Sequence, residues 1–171
     1  MRYYMSETRK FDVSPRAAGL ASPSVVIRPS VPADLARVHN IVDAAYRPYV
    51  ARMGQRPGPM DADYGALIES GALFVAEEGE TILGLVVVLE DSNALLLDNV
   101  AVAPDRHGRG LGRHLIGFVE DEALKRGRRI VRLYTHETMV ENVALYTRLG
   151  FVETSRATQH GFRRIFMEKA V

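Results

Sequence analysis

A glycine-rich turn between an apolar run and a helix offers the clearest chemistry in this sequence. Residues 100–112 read VAVAPDRHGRGLG, with glycines at alternate positions 108, 110 and 112. Glycines spaced in this way let backbone NH groups approach a phosphate, and the positive end of the following helix adds to the attraction. Four basic residues crowd the same turn: Arg106, His107, Arg109 and Arg113. We therefore predict that the turn binds a pyrophosphate.

Two common nucleotide motifs do not fit this turn. A P-loop needs a Gly-Lys-Ser/Thr triplet, and none follows Gly108. A dinucleotide site needs the spacing GxGxxG and an acid at the end of the next strand, whereas residues 129–135 run into Thr135 and His136. A nucleotide-binding regulator therefore lacks its motifs. A turn that only lets a helix pack closely on a strand stays open as the structural alternative.

The composition excludes several classes of protein. The 22 Lys and Arg residues balance 21 Asp and Glu residues, so no overall charge favours nucleic acid or an anionic membrane as a partner. The absence of cysteine excludes disulfides and thiol nucleophiles and fits a reducing compartment. The five histidines have no ligand-like spacing, so no metal site is predicted. No secretory signal or membrane-spanning stretch is evident, and we expect a soluble cytoplasmic protein.

The elements that must position the turn follow from hydrophobic periodicity. Residues 1–23 predict a flexible N-terminal segment, and residues 24–171 predict a single domain. Strands are predicted at 24–28, 72–77, 81–90, 94–102, 129–135, 151–156 and 162–169, and helices at 64–69, 111–126 and 140–148. A further helix is predicted to begin with Ser30 and Asp34, with an apolar face that extends to Ala45. Residues 46–64 predict a long irregular loop. This order predicts an α+β fold, with a mixed, mostly antiparallel sheet of about six or seven strands flanked by about four helices.

The turn and a second motif, NVALYTRLGF at residues 142–151, together resemble the GNAT superfamily of acetyl-CoA-dependent N-acetyltransferases. The resemblance covers almost the whole chain, from Ser24 to Lys169. It implies a GNAT-like fold and an acyltransferase that takes acetyl-CoA as its acetyl donor and needs no metal. It implies a small-molecule or peptide amine as acceptor, and it leaves a homodimer open. The alternative is an inactive domain of the same fold that binds an acyl-CoA as a sensor or interaction module.

The resemblance also assigns cofactor contacts. The family pattern, Gln or Arg-x-x-Gly-x-Gly or Ala, puts His107 at the Gln or Arg position, a departure that a backbone NH contact would tolerate. The pantetheine would pair with the edge of the strand at Val100 and Val102, like an added strand. Many relatives have an asparagine seven residues before the motif tyrosine, where Met139 stands here, whereas Asn142 stands four before it. The predicted cofactor-binding residues are Val100, Ala101, Val102, His107, Gly108, Arg109, Gly110, Leu111, Gly112, Arg113 and Asn142.

The resemblance makes Tyr146 the general acid that protonates the departing CoA thiolate. Asp98 interrupts the apolar strand, and by alternation it would share a side with Val100 and Val102. Asp98 is therefore predicted as the general base or as a substrate anchor, with a chain of water molecules as the alternative base. Glu137 and Glu141 are reserve candidates for that role. Three tyrosines, Tyr46, Tyr49 and Tyr64, are predicted to form an aromatic wall of the acceptor site.

Overall fold

A computed structural model describes residues 24–171, whose strands form one seven-stranded sheet. The strands are β1 Val26–Pro29, β2 Leu73–Glu78, β3 Thr81–Asp91, β4 Ala94–Val102, β5 Ile130–His136, β6 Val152–Gln159 and β7 Phe162–Ala170. Their order in the sheet is β1-β2-β3-β4-β5-β7-β6. β4 and β5 run parallel, and the other neighbouring strands run antiparallel. The predicted mixed, mostly antiparallel sheet is confirmed. The segment predicted to be flexible, residues 1–23, lies outside the described residues.

Helices cover both faces of the sheet. They are α1 Leu35–Met53, α2 Tyr64–Glu69, α3 Leu111–Lys125 and α4 Val140–Arg148. α1 and α2 bury residues such as Val38, Ile41 and Ile68 on one face. α3 buries Leu115 and Val119 on the other face, where Tyr146 of α4 joins the same hydrophobic cluster. Among residues 24–171, no helix is both long and apolar enough to cross a membrane.

The prediction of an irregular loop over residues 46–64 was wrong for its first part, because α1 continues to Met53. Pro48 lies inside that helix. Proline has no NH and its ring crowds the preceding turn, which is why the sequence favoured a break there. Packing outweighs this local preference, since the Tyr46 hydroxyl is anchored on Asn99 of β4 at 2.6 Å. The helix ends at Gly54, which has a left-handed φ of 69°.

A bulge in β4 changes the side on which Asp98 lies. Val87 of β3 pairs with Asn99 and Val88 pairs with Leu97, so Asp98 is the extra residue. Leu97 and Val100 consequently both pack on the α3 face of the sheet. The alternation expected to group Asp98 with Val100 and Val102 therefore does not hold. The inserted residue lets Asp98 reach the opposite face.

β4 and β5 separate after a short stretch of pairing. They pair only at Leu95–Leu97 with Val131–Leu133. The Ala103 NH donates to the Leu83 carbonyl of β3 at 2.8 Å, so by alternation the NH and carbonyl groups of Val100 and Val102 point away from β3. These groups face the gap that opens between β4 and β5. The gap gives the middle of the sheet a free strand edge.

Candidate functional site

Two cavities meet beside the free edge of β4. The larger has a volume of about 630 Å³ and runs from the glycine turn along β4 to α4. The smaller has a volume of about 270 Å³ and lies between the end of α1 and strands β4, β5 and β7. Four residues line both cavities: Tyr46, Val100, Asn142 and Tyr146. A ligand in either cavity would thus meet a ligand in the other at these residues.

The larger cavity collects the residues predicted to bind the cofactor. Every one of them except Arg109 lines it. Ala101 does so with its backbone paired to Leu85 of β3 and its side chain in the core on the α1 face. The Asn142 amide NH₂ lies 3.6 Å from the Met139 sulfur. The predicted cofactor-binding residues, Arg109 excepted, thus lie along one cavity, and Ala101 contributes only its position in the strand.

The glycine turn has the backbone geometry of an anion cradle. Gly108 and Gly110 have left-handed φ values of 74° and 80°. A Cβ atom on either glycine would meet nothing within 4 Å, so conformation rather than crowding favours glycine here. In α3, the His114 NH donates to the Gly110 carbonyl at 3.0 Å, which leaves the preceding NH groups at the helix start without intrahelical acceptors. No acidic residue lies in this first turn.

His107 contacts the free edge of β4 directly. Its ring Nε2 lies 3.0 Å from the Val102 carbonyl oxygen. Its backbone NH donates to the Pro104 carbonyl at 3.3 Å. The departure from the family pattern therefore places an imidazole against one of the carbonyls that face the gap.

Tyr146 is buried at the junction of the two cavities. Its ring packs against Phe151 with a centroid distance of 6.0 Å. Burial raises the pKa of the Tyr146 hydroxyl, so the side chain stays protonated at neutral and moderately alkaline pH. A protonated phenol at this position can donate a hydrogen bond or a proton into either cavity.

A buried hydrogen-bond chain fixes the direction of the Tyr46 hydroxyl. The Pro59 carbonyl can only accept, so the Tyr64 hydroxyl donates to it at 2.7 Å. Tyr64 in turn accepts from the Asn99 side-chain NH₂ at 2.9 Å, which leaves the Asn99 oxygen to accept from Tyr46 at 2.6 Å. The proton of Tyr46 is therefore committed to Asn99. Tyr46 presents only acceptor capacity to the junction, whereas Tyr146 presents a donor.

Asp98 lies in the smaller cavity with partners that the sequence did not reveal. The Tyr134 hydroxyl donates to Asp98 Oδ1 at 2.6 Å, and burial raises the pKa of Tyr134, which keeps it a donor. The Arg164 guanidinium lies 4.1 Å from the centroid of the Tyr134 ring. The sequence predicted only that Tyr134 lies in a strand, because its contact with Asp98 depends on the bulge in β4.

His136 is a second residue of the smaller cavity that sequence reasoning missed. The Thr138 backbone NH donates to His136 Nδ1 at 3.3 Å, which assigns the ring proton to Nε2. Burial lowers the pKa of His136, so the ring is neutral near pH 7. Its Nε2–H is then a hydrogen-bond donor.

The remaining candidates have structural partners. Glu141 lines the larger cavity and pairs with Arg52 at 2.7 Å, whereas Glu137 pairs with Arg163 at 2.9 Å and lines neither cavity. The predicted aromatic wall is divided, since Tyr64 lines the smaller cavity and Tyr49 the larger. Within residues 24–171, no group of three or more His, Cys, Asp or Glu side chains is arranged to hold a metal ion.

Comparisons with known proteins give a consistent result. Residues 69–153 match the model of the acetyltransferase (GNAT) domain family. The chain is 39% identical to the [ribosomal protein bS18]-alanine N-acetyltransferase of Escherichia coli over 69 residues. These residues make up 40% of this chain and 45% of the relative. Over 65 residues the chain is 38% identical to an uncharacterized N-acetyltransferase of Methanocaldococcus jannaschii, covering 38% of this chain and 29% of that one. The chain thus spans less than half the length of these two relatives.

Solved structures extend the likeness over most of the fold. PaiA N-acetyltransferase from Thermoplasma acidophilum, solved in complex with coenzyme A, superposes with a TM-score of 0.67 at 18% identity. The superposition covers 86% of this chain and 99% of that chain. At this identity the two chains share a fold.

Proposed function

Because the chain belongs to the GNAT acetyltransferase family, we propose that it transfers an acetyl group from acetyl-CoA to a primary amine. The observation that carries the proposal is the larger cavity, which connects the glycine turn, the free edge of β4 and the buried Tyr146. Acetyl-CoA would supply an acetyl group activated as a thioester. The lining of the cavity offers groups suited to the pyrophosphate, the pantetheine arm and the thioester of such a ligand.

Each part of the cavity has donors suited to one part of that ligand. The NH groups at the start of α3, from Leu111 to Arg113, suit a pyrophosphate. The NH and carbonyl groups of Val100 and Val102 suit the two amides of a pantetheine arm, which would pair as an added strand. The His107 ring would have to leave the Val102 carbonyl if a ligand amide were to use it.

In the proposed reaction the nitrogen lone pair of the amine attacks the acetyl carbonyl carbon and the carbon–sulfur bond breaks. Tyr146 gives its proton to the leaving sulfur and afterwards recovers one from solvent. The proton that the amine loses goes to Asp98, directly or through water. Tyr46 cannot replace Tyr146 as the acid, since its proton is held by Asn99. Positioning supplies most of the remaining rate enhancement.

We further propose that the acceptor amine belongs to a peptide. The E. coli relative is named for the alanine of a ribosomal protein. The smaller cavity offers the Asp98 carboxylate for an ammonium group, and His136 Nε2–H and Arg164 as donors for carbonyl oxygens. The Gln55 side-chain NH₂ donates a hydrogen bond of 3.0 Å to the Gly161 carbonyl. This bond connects the segment just after α1 to the β6–β7 turn beside the cavity. A chain segment that carries both an amine and carbonyl groups matches this set of partners.

Titration calorimetry with acetyl-CoA, CoA, ATP and NAD tests the cofactor. We expect the two CoA ligands alone to bind, and Gly110→Glu to abolish that binding by placing a carboxylate at the phosphate turn. Gly127→Glu is the matched control, because Gly127 also has a left-handed φ, 70°, but lies at the far end of α3. Both variants place a glutamate in a left-handed conformation at a cost of about 1–2 kcal/mol. They differ in that only Gly110→Glu places its carboxylate at the phosphate turn. No binding of CoA ligands to the wild type would overturn the proposed function.

A further inference from the structure

A side pocket opens from the larger cavity between α3 and α4. Its volume is about 190 Å³. It shares Arg113, Ile116 and Arg148 with the larger cavity, and Glu120 and Lys169 also line it. A ligand that occupies the glycine turn therefore has direct access to this pocket.

The side pocket has a surplus of positive charge. Lys169 Nζ lies 2.7 Å from Glu120 Oε1, which neutralises the one carboxylate among its lining residues. Arg113 and Arg148 form no salt bridge with any residue of the described part, 24–171. Three cations and one carboxylate leave a net charge of +2. Two guanidinium groups without partners suit a phosphate, since each offers a planar fork of donors.

The pocket extends beyond the NH groups that suit a pyrophosphate. Those NH groups belong to Leu111, Gly112 and Arg113 at the start of α3, and of these residues only Arg113 lines the side pocket. Arg148 comes from the last turn of α4, on the opposite wall from Arg113 of α3. The arginines therefore have capacity for a further phosphate. A phosphate monoester carries a charge of about −1.5 to −2 at pH 7, which matches the pocket.

We propose, as an inference that rests on the proposed function, that the side pocket binds the 3′-phosphate of CoA. Arg113 and Arg148 would then make the protein select CoA over dephospho-CoA. Arg148 is the residue that tests this contact alone, because Arg113 lies near enough to the turn to bind the pyrophosphate as well. A separate phosphate ion has the same chemistry as the 3′-phosphate. The experiment must therefore distinguish the two sources.

Calorimetric titrations with CoA and dephospho-CoA provide the test. We expect the wild type to bind CoA about 10 to 100 times more tightly, the size of one or two charge-assisted hydrogen bonds. Arg148→Ala should bring this ratio close to one while leaving the affinity for dephospho-CoA within about threefold, and Arg148→Lys should give an intermediate ratio. Arg126→Ala is the control, because Arg126 is paired with Glu90 and Glu122 and lines none of the three cavities.

The outcomes separate this inference from the proposed function. Equal affinities of the wild type for CoA and dephospho-CoA would overturn the inference and leave the acetyl-CoA site standing. Binding of inorganic phosphate that is lost in Arg148→Ala, together with equal affinities for the two CoA ligands, would assign the pocket to a separate ion and also overturn it. Failure of the wild type to bind either CoA ligand would instead overturn the proposed function.

Discussion

The Tyr134 hydroxyl and the Asp98 carboxylate are joined by a hydrogen bond of 2.6 Å, next to the gap where β4 and β5 separate. The bond exists because the bulge in β4 turns Asp98 away from the side of Val100. Tyr134 thereby fixes the orientation of Asp98, which among residues 24–171 is the only aspartate or glutamate that lines the smaller cavity. Asp98 is the candidate base, and Tyr134 is its positioning residue.

Asp98→Asn should lower kcat/KM for the amine by about 100-fold or more, since a positioned base contributes about 10²–10⁴-fold. The Kd for acetyl-CoA should not change, because Asp98 does not line the larger cavity. Tyr134→Phe should cause a smaller loss, and the double variant should be no worse than Asp98→Asn alone. Asp121→Asn, on the exposed side of α3, is the control. Full activity of Asp98→Asn would leave a chain of water molecules as the proton acceptor.

Tyr146→Phe should lower kcat by about 100-fold or more and leave the Kd for acetyl-CoA unchanged, because only the donor to the leaving sulfur is lost. Burial raises the pKa of Tyr146, so the wild-type rate should not fall as pH rises to about 10, where a free tyrosine would be half ionised. Steady-state rates from pH 7 to 10 and calorimetry together check both statements. An unchanged kcat in Tyr146→Phe would mean that another group protonates the leaving sulfur. Absence of turnover in the wild type would favour a domain that binds acyl-CoA without catalysis.

Asn99→Leu should destabilise the protein by about 2–4 kcal/mol, because the partly buried hydroxyl of Tyr46 and the buried hydroxyl of Tyr64 lose their shared partner. Urea unfolding at pH 7 measures this loss. Asn93→Ser, in the exposed turn between β3 and β4, should change the free energy of unfolding by less than about 0.5 kcal/mol. A loss at Asn99 no larger than at Asn93 would mean that the chain from Tyr46 to Pro59 contributes nothing to stability.

Asp34→Asn should remove part of the acid sensitivity of the fold. Arg28 donates to both carboxylate oxygens of Asp34 at 2.8 and 3.1 Å, and these hydrogen bonds hold the pKa of Asp34 below its ordinary value. The unfolded chain takes up this proton at about pH 4, so the stability that the pair provides is present above that pH and is lost as pH falls below it. We expect Asp34→Asn to cost about 2–3 kcal/mol at pH 7 and less at pH 3, because the loss continues as pH falls through the lowered pKa of the folded state.

Urea unfolding at the two pH values measures the effect of Asp34→Asn. Asp43→Asn is the matched control, because the Asp43 carboxylate is half exposed and lies 3.9 Å from the Arg47 guanidinium. It should cost less than about 1 kcal/mol at either pH. An equal cost of Asp34→Asn at pH 7 and pH 3 would contradict the assignment of the acid-dependent stability to this pair.

Local signals predicted most elements well. α2, β4 and α4 begin and end where the sequence predicted, because apolar residues mark them and turn-forming residues such as Gly71, Asn93 and Gly150 lie beside them. The resemblance to the GNAT superfamily is confirmed, since both of its motifs lie within the matched residues 69–153.

Prediction from the sequence was wrong where tertiary contacts outweigh local conformational preference. α1 continues past Pro48 because the helix packs on the sheet, which no periodicity reveals. The inserted residue in β4 reverses the side of Asp98, and only the register with β3 shows it. Tyr134, His136 and Arg148 reach their cavities through pairings between distant segments, so their residue types alone gave no signal.

The short pairing between β4 and β5 divides the sheet into two parts held along one seam. Within residues 24–171, the strand pairing that joins the ladder of β1–β4 to the ladder of β5, β7 and β6 consists of three pairs of residues, Leu95–Leu97 with Val131–Leu133. An extended ligand in the gap would complete the ladder and couple the two parts into one cooperative unit. Amide hydrogens at Val100 and Val102 should then exchange slowly with solvent only when the gap is filled. The ligand would serve as the eighth strand of this protein.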